Sequence, residues 1–169
     1  MSLSKRAFSE SAEPYPIASM TEHDLLEVVE IEESSGLSRW GWAAYYAELQ
    51  SSNRGLMYVA HVARPLEQQN TENLAGYIVA RVSGGELHIN NVAVRNDYRR
   101  RGIGIRLLNR ILEEGKRFEA TAAFLEVRAG NSVARALYER CGFAVIASRP
   151  NYYSEPMEDA LLMNAKLDR

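Results

Sequence analysis

The spacing of apolar residues along the chain alternates between the period of a helix and that of a strand. Helical spacing predicts a first helix that Thr21 caps and Gly36 ends, and further helices at 41–50, 104–118 and 131–140. Runs rich in Val, Ile, Tyr and Ala predict strands at 17–20, 56–63, 74–82, 86–94, 123–128, 143–148 and 159–167. This order predicts an α/β (mixed α+β) fold, in which helices flank a mixed sheet of about seven strands.

The segment 86–94 loses its alternation halfway along. Leu87 and Ile89 are apolar, and so are Val92 and Val94, so the apolar positions shift by one residue between the two pairs. A β-bulge produces such a shift because two residues of the bulged strand lie opposite one residue of its neighbour. We therefore predict a bulge near Asn90–Asn91.

Length and composition agree with one domain. The chain has 169 residues, of which 46% are hydrophobic and 25% charged, enough for a substantial core. We expect a single domain at 16–169 after a mobile, Ser-rich extension at 1–15. One cysteine, Cys141, excludes an internal disulfide, and no apolar run is long enough to span a membrane. We expect a cytoplasmic protein, and the net charge of −2 argues against a dedicated nucleic-acid binder.

A basic turn containing two glycines joins the predicted strand 86–94 to the next helix. It carries Arg95, Arg99, Arg100, Arg101, Gly102 and Gly104. Free N–H groups and the positive end of a helix favour phosphate, and glycines let a ligand approach the backbone. Taken alone, these residues also fit a tight turn with solvated charges. Leu107 stands where a dinucleotide fingerprint needs a small residue, and a P-loop is excluded because no Gly-Lys-Ser/Thr is present.

The sequence Arg99-x-x-Gly102-x-Gly104 after Val92-Ala93-Val94 resembles the acyl-CoA pyrophosphate loop of the GNAT N-acetyltransferase superfamily. The resemblance implies the GNAT fold, in which the fourth strand splays away to admit a thioester. It also implies that the backbone of Val92, Ala93 and Val94 pairs with the pantetheine arm of acetyl-CoA. The pyrophosphate loop would consist of Arg99, Arg100, Arg101, Gly102, Ile103, Gly104 and Ile105.

A second group of residues lies at 125–143. From the residues alone, Glu126 is a solvated carboxylate or one held for a purpose, and Tyr138 fits a core position. The string Leu125-Glu126-Val127-Arg128, Asn131, Ala136-Leu137-Tyr138-Glu139 and Cys141-Gly142-Phe143 resembles the RimI-type ribosomal-protein-alanine N-acetyltransferases, as does 87–163 as a whole. This resemblance implies that Glu126 is the general base, Tyr138 the general acid and a cofactor contact, and Asn131 a CoA contact. It also implies that Trp40, Arg149, Tyr152 and Tyr153 line the acceptor groove.

These residue types suit acetyl transfer to an N-terminal amine. An α-amine has a pKa of about 7.7 to 8.0, so a carboxylate base such as Glu126 is strong enough to accept its proton. A tyrosine hydroxyl, with a pKa of about 10, can return a proton to a thiolate of pKa about 8.5. We expect direct transfer, with Cys141 a small buried thiol rather than a nucleophile. His23, His61 and His88 lack ligand spacing, so no metal is expected.

The acceptor is the least determined part of the prediction. Gly130 stands where the family commonly has Ser, Arg39 and Ser154 stand where it commonly has Pro, and the loop 64–73 is long. We expect a ribosomal protein as acceptor, no direct nucleic-acid or membrane partner, and a monomer or weak homodimer. The alternatives are acetylation of lysine side chains or small amines, a non-catalytic acyl-CoA sensor, and RNA contact through Arg99–Arg101.

Overall fold

The computed structural model describes residues 13–37, 39–51, 55–64 and 73–168. Within these ranges the chain forms four α-helices and seven strands. The helices are α1 (Leu25–Ser34), α2 (Gly41–Gln50), α3 (Ile103–Arg117) and α4 (Ser132–Arg140). The strands are β1 (Ile17–Ser19), β2 (Gly55–His61), β3 (Leu74–Ser83), β4 (Glu86–Val94), β5 (Ala122–Arg128), β6 (Ala144–Ser154) and β7 (Met157–Lys166).

The strands form one mixed sheet in the order β1-β2-β3-β4-β5-β7-β6. Neighbouring strands are antiparallel except β4 and β5, which are parallel and joined through α3. The predicted fold class is therefore confirmed. Strand β6 runs six residues past the predicted end at Ser148. It is an exposed edge strand, and its pairing with β7 extends it. Its polar C-terminal end therefore lacks the apolar positions from which a strand is predicted.

Two apolar clusters cover the two faces of the sheet. On one face, Ile103, Leu107, Leu108 and Ile111 of α3 are buried together with Tyr138 of α4. On the other, Leu25, Val28 and Ile31 of α1 pack with Tyr45 of α2 and with Tyr77. Helix α1 follows a short 3₁₀ turn, Glu22–Asp24. The Asp24 carboxylate accepts the Thr21 N–H at 2.8 Å there, so Thr21 lies at the predicted start.

The predicted bulge in β4 is confirmed. Val79 of β3 lies opposite Asn91, and the next residue, Ala80, lies opposite Ile89, so Asn90 is the extra residue. The bulge keeps Val92 against the cluster on the α3 face and turns Asn91 toward Tyr45 on the α1 face. Beyond it β4 leaves β5, because the register of these two strands ends at Ile89↔Leu125. The sheet therefore opens between its two central strands.

The start of the described chain is attached to the domain. The Pro14 carbonyl accepts the Ala63 N–H at 3.0 Å, and the Tyr15 ring packs edge-on against Tyr98 at 5.8 Å. Of the predicted extension 1–15, residues 1–12 lie outside the described part, as do 65–72 of the predicted loop 64–73. Among the described helices, none has the length and apolarity needed to cross a membrane.

Candidate active site

The opening between β4 and β5 begins beside Glu126. Glu126 is the first residue of β5 beyond the last paired position, Ile89↔Leu125. Across the opening, Val92, Ala93 and Val94 pair with β3 on one side only. Backbone N–H and C=O groups need partners, so an extended ligand can add to this edge as another strand would.

The turn after β4 ends at Gly102, which precedes the first residue of α3. Gly102 has a φ of +77°, and a Cβ built on it would meet no atom within 4 Å. Glycine is thus favoured here by the left-handed backbone rather than by crowding. Arg100 is also left-handed, with a φ of +62°. Among the described residues no side chain caps the N-terminal end of α3, which we call its open end, and its first N–H groups are directed into the turn.

Gly104, the second glycine of the motif, has a different neighbour. A Cβ at this position would lie 3.2 Å from Cδ2 of Leu137 in α4. The small residue therefore lets α3 approach α4 closely. That both glycines serve ligand approach stays a prediction, and Gly104 has in addition a packing reason.

The Arg95 side chain lies against α1 and not with the other arginines of the basic turn. Its guanidinium group contacts Glu27 at 3.1 Å and Glu30 at 3.2 Å, and its Nε donates to the Leu74 carbonyl at 2.9 Å. These contacts tie β4 to α1, and the side chain is only 14% exposed. The expectation that Arg95 adds charge for a phosphate is therefore wrong, because sequence proximity does not show on which face of the chain a side chain emerges.

Arg99, Arg100 and Arg101 lie exposed around the turn. Arg99 Nε donates to the Val94 carbonyl at 3.2 Å, which directs this side chain along the end of β4. Arg101 donates to the Tyr15 hydroxyl at 2.6 Å and lies 5.4 Å from the centre of the Tyr98 ring. These contacts fix two of the three cations beside the open end of α3.

Glu126 lies among residues that are distant in sequence. Its carboxylate contacts the Arg149 guanidinium at 2.9 Å, and β6 brings Arg149 across the intervening strand β7. A hydrogen bond with Glu126 is the largest cause that raises the pKa of Tyr152. The structure therefore gathers Glu126, Arg149 and Tyr152, three of the predicted site residues, in one group.

Tyr153 lies beside this group. The Arg128 guanidinium is 4.1 Å from the centre of its ring, a distance at which cation–π attraction operates. Burial is the first cause that raises the pKa of Tyr153, and the charge of Glu126 is the second. Tyr153 therefore borders the Glu126 carboxylate without being its closest partner.

Tyr138 occupies the opposite side of the sheet from Glu126. It is 7% exposed, and its ring packs edge-on against Phe143 at 6.1 Å. It shares a cluster with Leu125 and Val127, whose side chains alternate with Glu126 along β5. The two candidate catalytic side chains thus lie on opposite faces of the sheet.

Burial raises the pKa of Tyr138 above its ordinary value, and the neighbouring Tyr153 raises it further. The phenol is therefore fully protonated at neutral pH and available as a donor. It is also a weaker acid than a solvated tyrosine, so its match to a thiolate is less close than the reference pKa values suggest.

The start of α4 follows the predicted cap. The Asn131 Oδ1 accepts the Ala134 N–H at 3.1 Å. The preceding Gly130 donates its N–H to the Glu158 carboxylate at 2.7 Å, and a Cβ on Gly130 would lie 3.0 Å from that oxygen. The absence of a serine at 130 therefore has a local cause, which is the close approach of Glu158.

Trp40 precedes α2 on the same face as Glu126. It packs against the cluster of α1 and α2, with its ring 5.4 Å from that of Tyr45. Below it lies a buried polar group that the sequence reasoning missed, formed by Glu32, Tyr45, Tyr77 and Asn91. One signal was available, since Glu32 interrupts the apolar stripe of α1 four residues after Val28.

The alternative chemistries find little support. The Cys141 thiol is partly buried, and burial raises its pKa, which makes it a poor nucleophile at neutral pH. In the part of the chain that the structure describes, no group of three or more His, Cys, Asp and Glu side chains could hold a metal ion.

Comparison with known proteins agrees with this geometry. A sequence model of the Acetyltransferase (GNAT) family matches residues 25–143. The ribosomal protein bS18-alanine N-acetyltransferase of Escherichia coli K12 is 33% identical over 151 residues, which cover 87% of this chain and 94% of that protein. A putative bS18-alanine N-acetyltransferase of Bacillus subtilis is 32% identical over 147 residues, which cover 87% and 92%.

Solved structures show the same fold. The crystal structure of the E. coli ribosomal-protein-S18-alanine N-acetyltransferase has a TM-score of 0.76 at 28% identity, covering 92% of this chain and 95% of that one. Arabidopsis thaliana NAA60 in complex with acetyl-CoA has a TM-score of 0.79 at 19% identity, covering 90% and 98%, and shows the fold alone. The chain belongs to the GNAT acetyltransferase family.

Proposed function

We propose that this acetyltransferase moves the acetyl group of acetyl-CoA to the N-terminal α-amine of a ribosomal protein with an alanine terminus, in the cytoplasm. One observation carries the proposal: β4 and β5 separate beside Glu126, with the buried Tyr138 on the other face. The E. coli relative is named for acetylating the alanine of ribosomal protein bS18. The matched length and the shared fold support the same class of acceptor here.

The residues around the opening fit acetyl-CoA. The unpaired edge of Val92–Val94 suits the amide-rich pantetheine arm, and the open N-terminal end of α3 at Gly102 suits the pyrophosphate. Arg99, Arg100 and Arg101 supply positive charge, and we propose that Asn131, which caps α4, also contacts CoA. Bound acetyl-CoA supplies the activated thioester, and the chain supplies position and proton transfer.

In the proposed mechanism Glu126 accepts the proton of the attacking α-amine, directly or through a water. An N–H of the β4 edge near Val92–Val94 donates to the thioester carbonyl oxygen as negative charge develops there. Tyr138 then donates its proton to the departing CoA sulfur. The raised pKa of Tyr138 keeps this hydroxyl protonated until the thiolate forms, but it also makes the phenol a weaker acid than a solvated tyrosine.

We propose that Trp40, Arg149, Tyr152 and Tyr153 line the acceptor groove. Support comes from the contacts that Arg149 and Tyr152 make with Glu126 and from the position of Trp40 on the same face. An acceptor terminus that reaches Glu126 would meet Arg149 and Tyr152, which contact this carboxylate. They are therefore suited to sense the first residues of the acceptor.

The test uses two short peptides of one sequence. The first has a free alanine terminus, and the second has a blocked terminus and a free lysine. Incubation with acetyl-CoA followed by mass spectrometry should show acetylation of the first alone. Acetylation of only the second would replace the proposal with the lysine alternative.

A cellular test identifies the acceptor. Ribosomal proteins from cells with and without this chain should differ by one acetyl group at an alanine terminus, seen by mass spectrometry of intact proteins. No difference in any ribosomal protein would contradict the acceptor class. CoA binding with no turnover on either peptide would indicate a non-catalytic sensor instead.

A further inference from the structure

Glu32 is a buried carboxylate that the proposed mechanism does not use. Its side chain is on α1, and the residue is 1% exposed. One carboxylate oxygen accepts the Trp40 N–H at 2.7 Å, and the other accepts the Gly41 N–H at 3.1 Å. These N–H groups lie at the start of α2, where a helix has no acceptors of its own and its dipole favours negative charge.

The same carboxylate is joined to β4. The Tyr45 hydroxyl donates to Glu32 at 2.8 Å, and Tyr45 in turn accepts from Asn91 Nδ2 at 2.8 Å. Asn91 directly follows Asn90, the extra residue of the β4 bulge. A chain of buried hydrogen bonds therefore runs from the start of α2 to the point where the sheet opens.

We infer that Glu32 is a positioning residue for the acceptor. Its carboxylate holds the Trp40–Gly41 turn at a fixed place above the opening, on the face that carries Glu126. The inference rests on the proposed function, in which Trp40 lines the acceptor groove. The proposed cosubstrate contacts lie on α3 and on the edge of β4, which Glu32 reaches mainly through Tyr45 and Asn91, whereas it contacts the Trp40–Gly41 turn directly, so its main effect is on acceptor binding.

A carboxylate is needed because both of its oxygens receive hydrogen bonds. Glutamine has the same size but only one acceptor oxygen, and its NH₂ group would face a backbone N–H. Glu32→Gln therefore leaves at least one N–H at the start of α2 without an acceptor, and the turn shifts to find one.

Steady-state kinetics with the free-alanine peptide test this inference. For Glu32→Gln we expect the KM for the peptide to rise about tenfold, while kcat and the KM for acetyl-CoA change less than about twofold. The matched control is Tyr77→Phe. It removes a hydroxyl 2.8 Å from that of Tyr45 but leaves the contacts of Glu32 with Trp40 and Gly41 unchanged. Its peptide KM should equal that of the wild type.

Tryptophan fluorescence gives a readout that does not need activity. The chain has two tryptophans, Trp40 and Trp42, and both adjoin Gly41, so the emission reports on this turn. Acrylamide should quench Glu32→Gln more strongly than the wild type, and Tyr77→Phe like the wild type. The inference is overturned if Glu32→Gln lowers only the melting temperature and leaves peptide KM and quenching unchanged, or if the KM for acetyl-CoA rises equally.

A second variant covers the case that Glu32→Gln does not fold. Gly41 has a φ of +73°, and a Cβ added to it would meet no atom within 4 Å, so Gly41→Ala strains the turn without crowding it. It should raise the peptide KM in the same way, and an unchanged KM would contradict the inference. A wild type that does not acetylate the peptide contradicts the proposed function, whereas the quenching comparison still decides whether Glu32 holds the turn.

Discussion

The two faces of the opening between β4 and β5 differ in the chemical groups that form them. On the α3 and α4 face the site consists of backbone groups, the left-handed Gly102, the exposed arginines 99–101 and the buried phenol of Tyr138. On the α1 and α2 face it consists of charged and polar side chains that contact one another, Glu126 with Arg149 and Glu32 with the start of α2. Backbone groups suit the constant shape of a cosubstrate, and side chains suit discrimination between acceptors.

Because of this difference, we expect substitutions on the two faces to affect the two substrates separately. Changes on the α3 face should alter the binding of acetyl-CoA, and changes on the α1 face should alter acceptor use. Glu126 and Tyr138 lie on opposite faces of the sheet, so loss of Glu126 should slow transfer without weakening CoA binding, whereas loss of Tyr138, a proposed cofactor contact, can affect both. Single substitutions on each face can test that separation.

The largest effect is expected for Glu126→Gln. The amide keeps the size of the side chain but cannot accept the amine proton, so kcat should fall about 100-fold or more. The dissociation constant for acetyl-CoA, measured by calorimetry, should stay within about twofold, because the proposed CoA contacts lie elsewhere. A variant that keeps its rate would remove Glu126 from the mechanism.

A smaller loss is expected for Tyr138→Phe. A thiolate with a pKa of about 8.5 is already a fair leaving group, so removing the proton donor should lower kcat only about tenfold. The ring and its contact with Phe143 remain, which keeps the core filled. Equal kcat in the variant and the wild type would assign proton donation to another group.

The pH dependence of the rate distinguishes the titration of Tyr138 from that of the acceptor α-amine. A raised pKa means that Tyr138 keeps its proton to higher pH, so loss of this acid does not limit the rate near neutrality. The rate should instead rise with pH through about 8, where the acceptor α-amine loses its proton, and then stay level to about pH 10. Tyr138→Phe should retain that rise, and a wild-type rate falling between pH 8 and 9 would contradict the raised pKa.

The sequence predicts best what is encoded locally. The bulge at Asn90 follows from the phase of four apolar residues, and the cap at Asn131 follows from its place before a helix. Both depend on neighbours within a few positions, where side-chain periodicity determines which face is buried. The resemblance to the GNAT superfamily then predicts the fold, because the motifs that carry it lie in the contiguous turn after β4 and in the β5–α4 segment.

What the sequence could not show depends on contacts between distant segments. From its position in the sequence Arg95 belongs to the basic turn, but its guanidinium group contacts Glu27 and Glu30 of α1. Glu32 lies 59 positions before Asn91 and joins it only through the fold. The periodicity of apolar residues does not indicate which buried polar side chains contact each other. The polar contacts of the acceptor face are therefore evident only from the structure.

The two glycines of the basic turn allow a finer test on the cosubstrate face. Gly102→Ala places a side chain on a left-handed backbone, which costs about 1 kcal/mol and should weaken acetyl-CoA binding about fivefold as the turn relaxes. Gly104→Ala is the comparison variant, since its Cβ would lie 3.2 Å from the flexible end of Leu137 and 3.9 Å from Cγ2 of Val94 on an ordinary helical backbone. Calorimetry should show near-normal affinity for Gly104→Ala, and equal losses in both would mean that Gly104 also serves the ligand.

The smallest effect is expected for Arg149→Met, on the acceptor face. Arg149 is 54% exposed, so its ion pair with Glu126 should change the free energy of unfolding by less than about 1 kcal/mol. Its contact nevertheless orients the Glu126 carboxylate, and we expect kcat to fall about threefold at constant KM for acetyl-CoA.

Arg117→Met is the matched control for this variant, because it removes an exposed guanidinium group that contacts Glu114 at the end of α3, while Arg110 keeps its own contact with Glu114 at 3.2 Å. Both variants should unfold at nearly the same denaturant concentration as the wild type, and only Arg149→Met should lose rate. If the two variants keep the same kcat, Arg149 does not orient the base. If Arg149→Met instead raises the KM for acetyl-CoA, the separation of the two faces fails, because a side chain on β6 would then act on the cosubstrate through the opening.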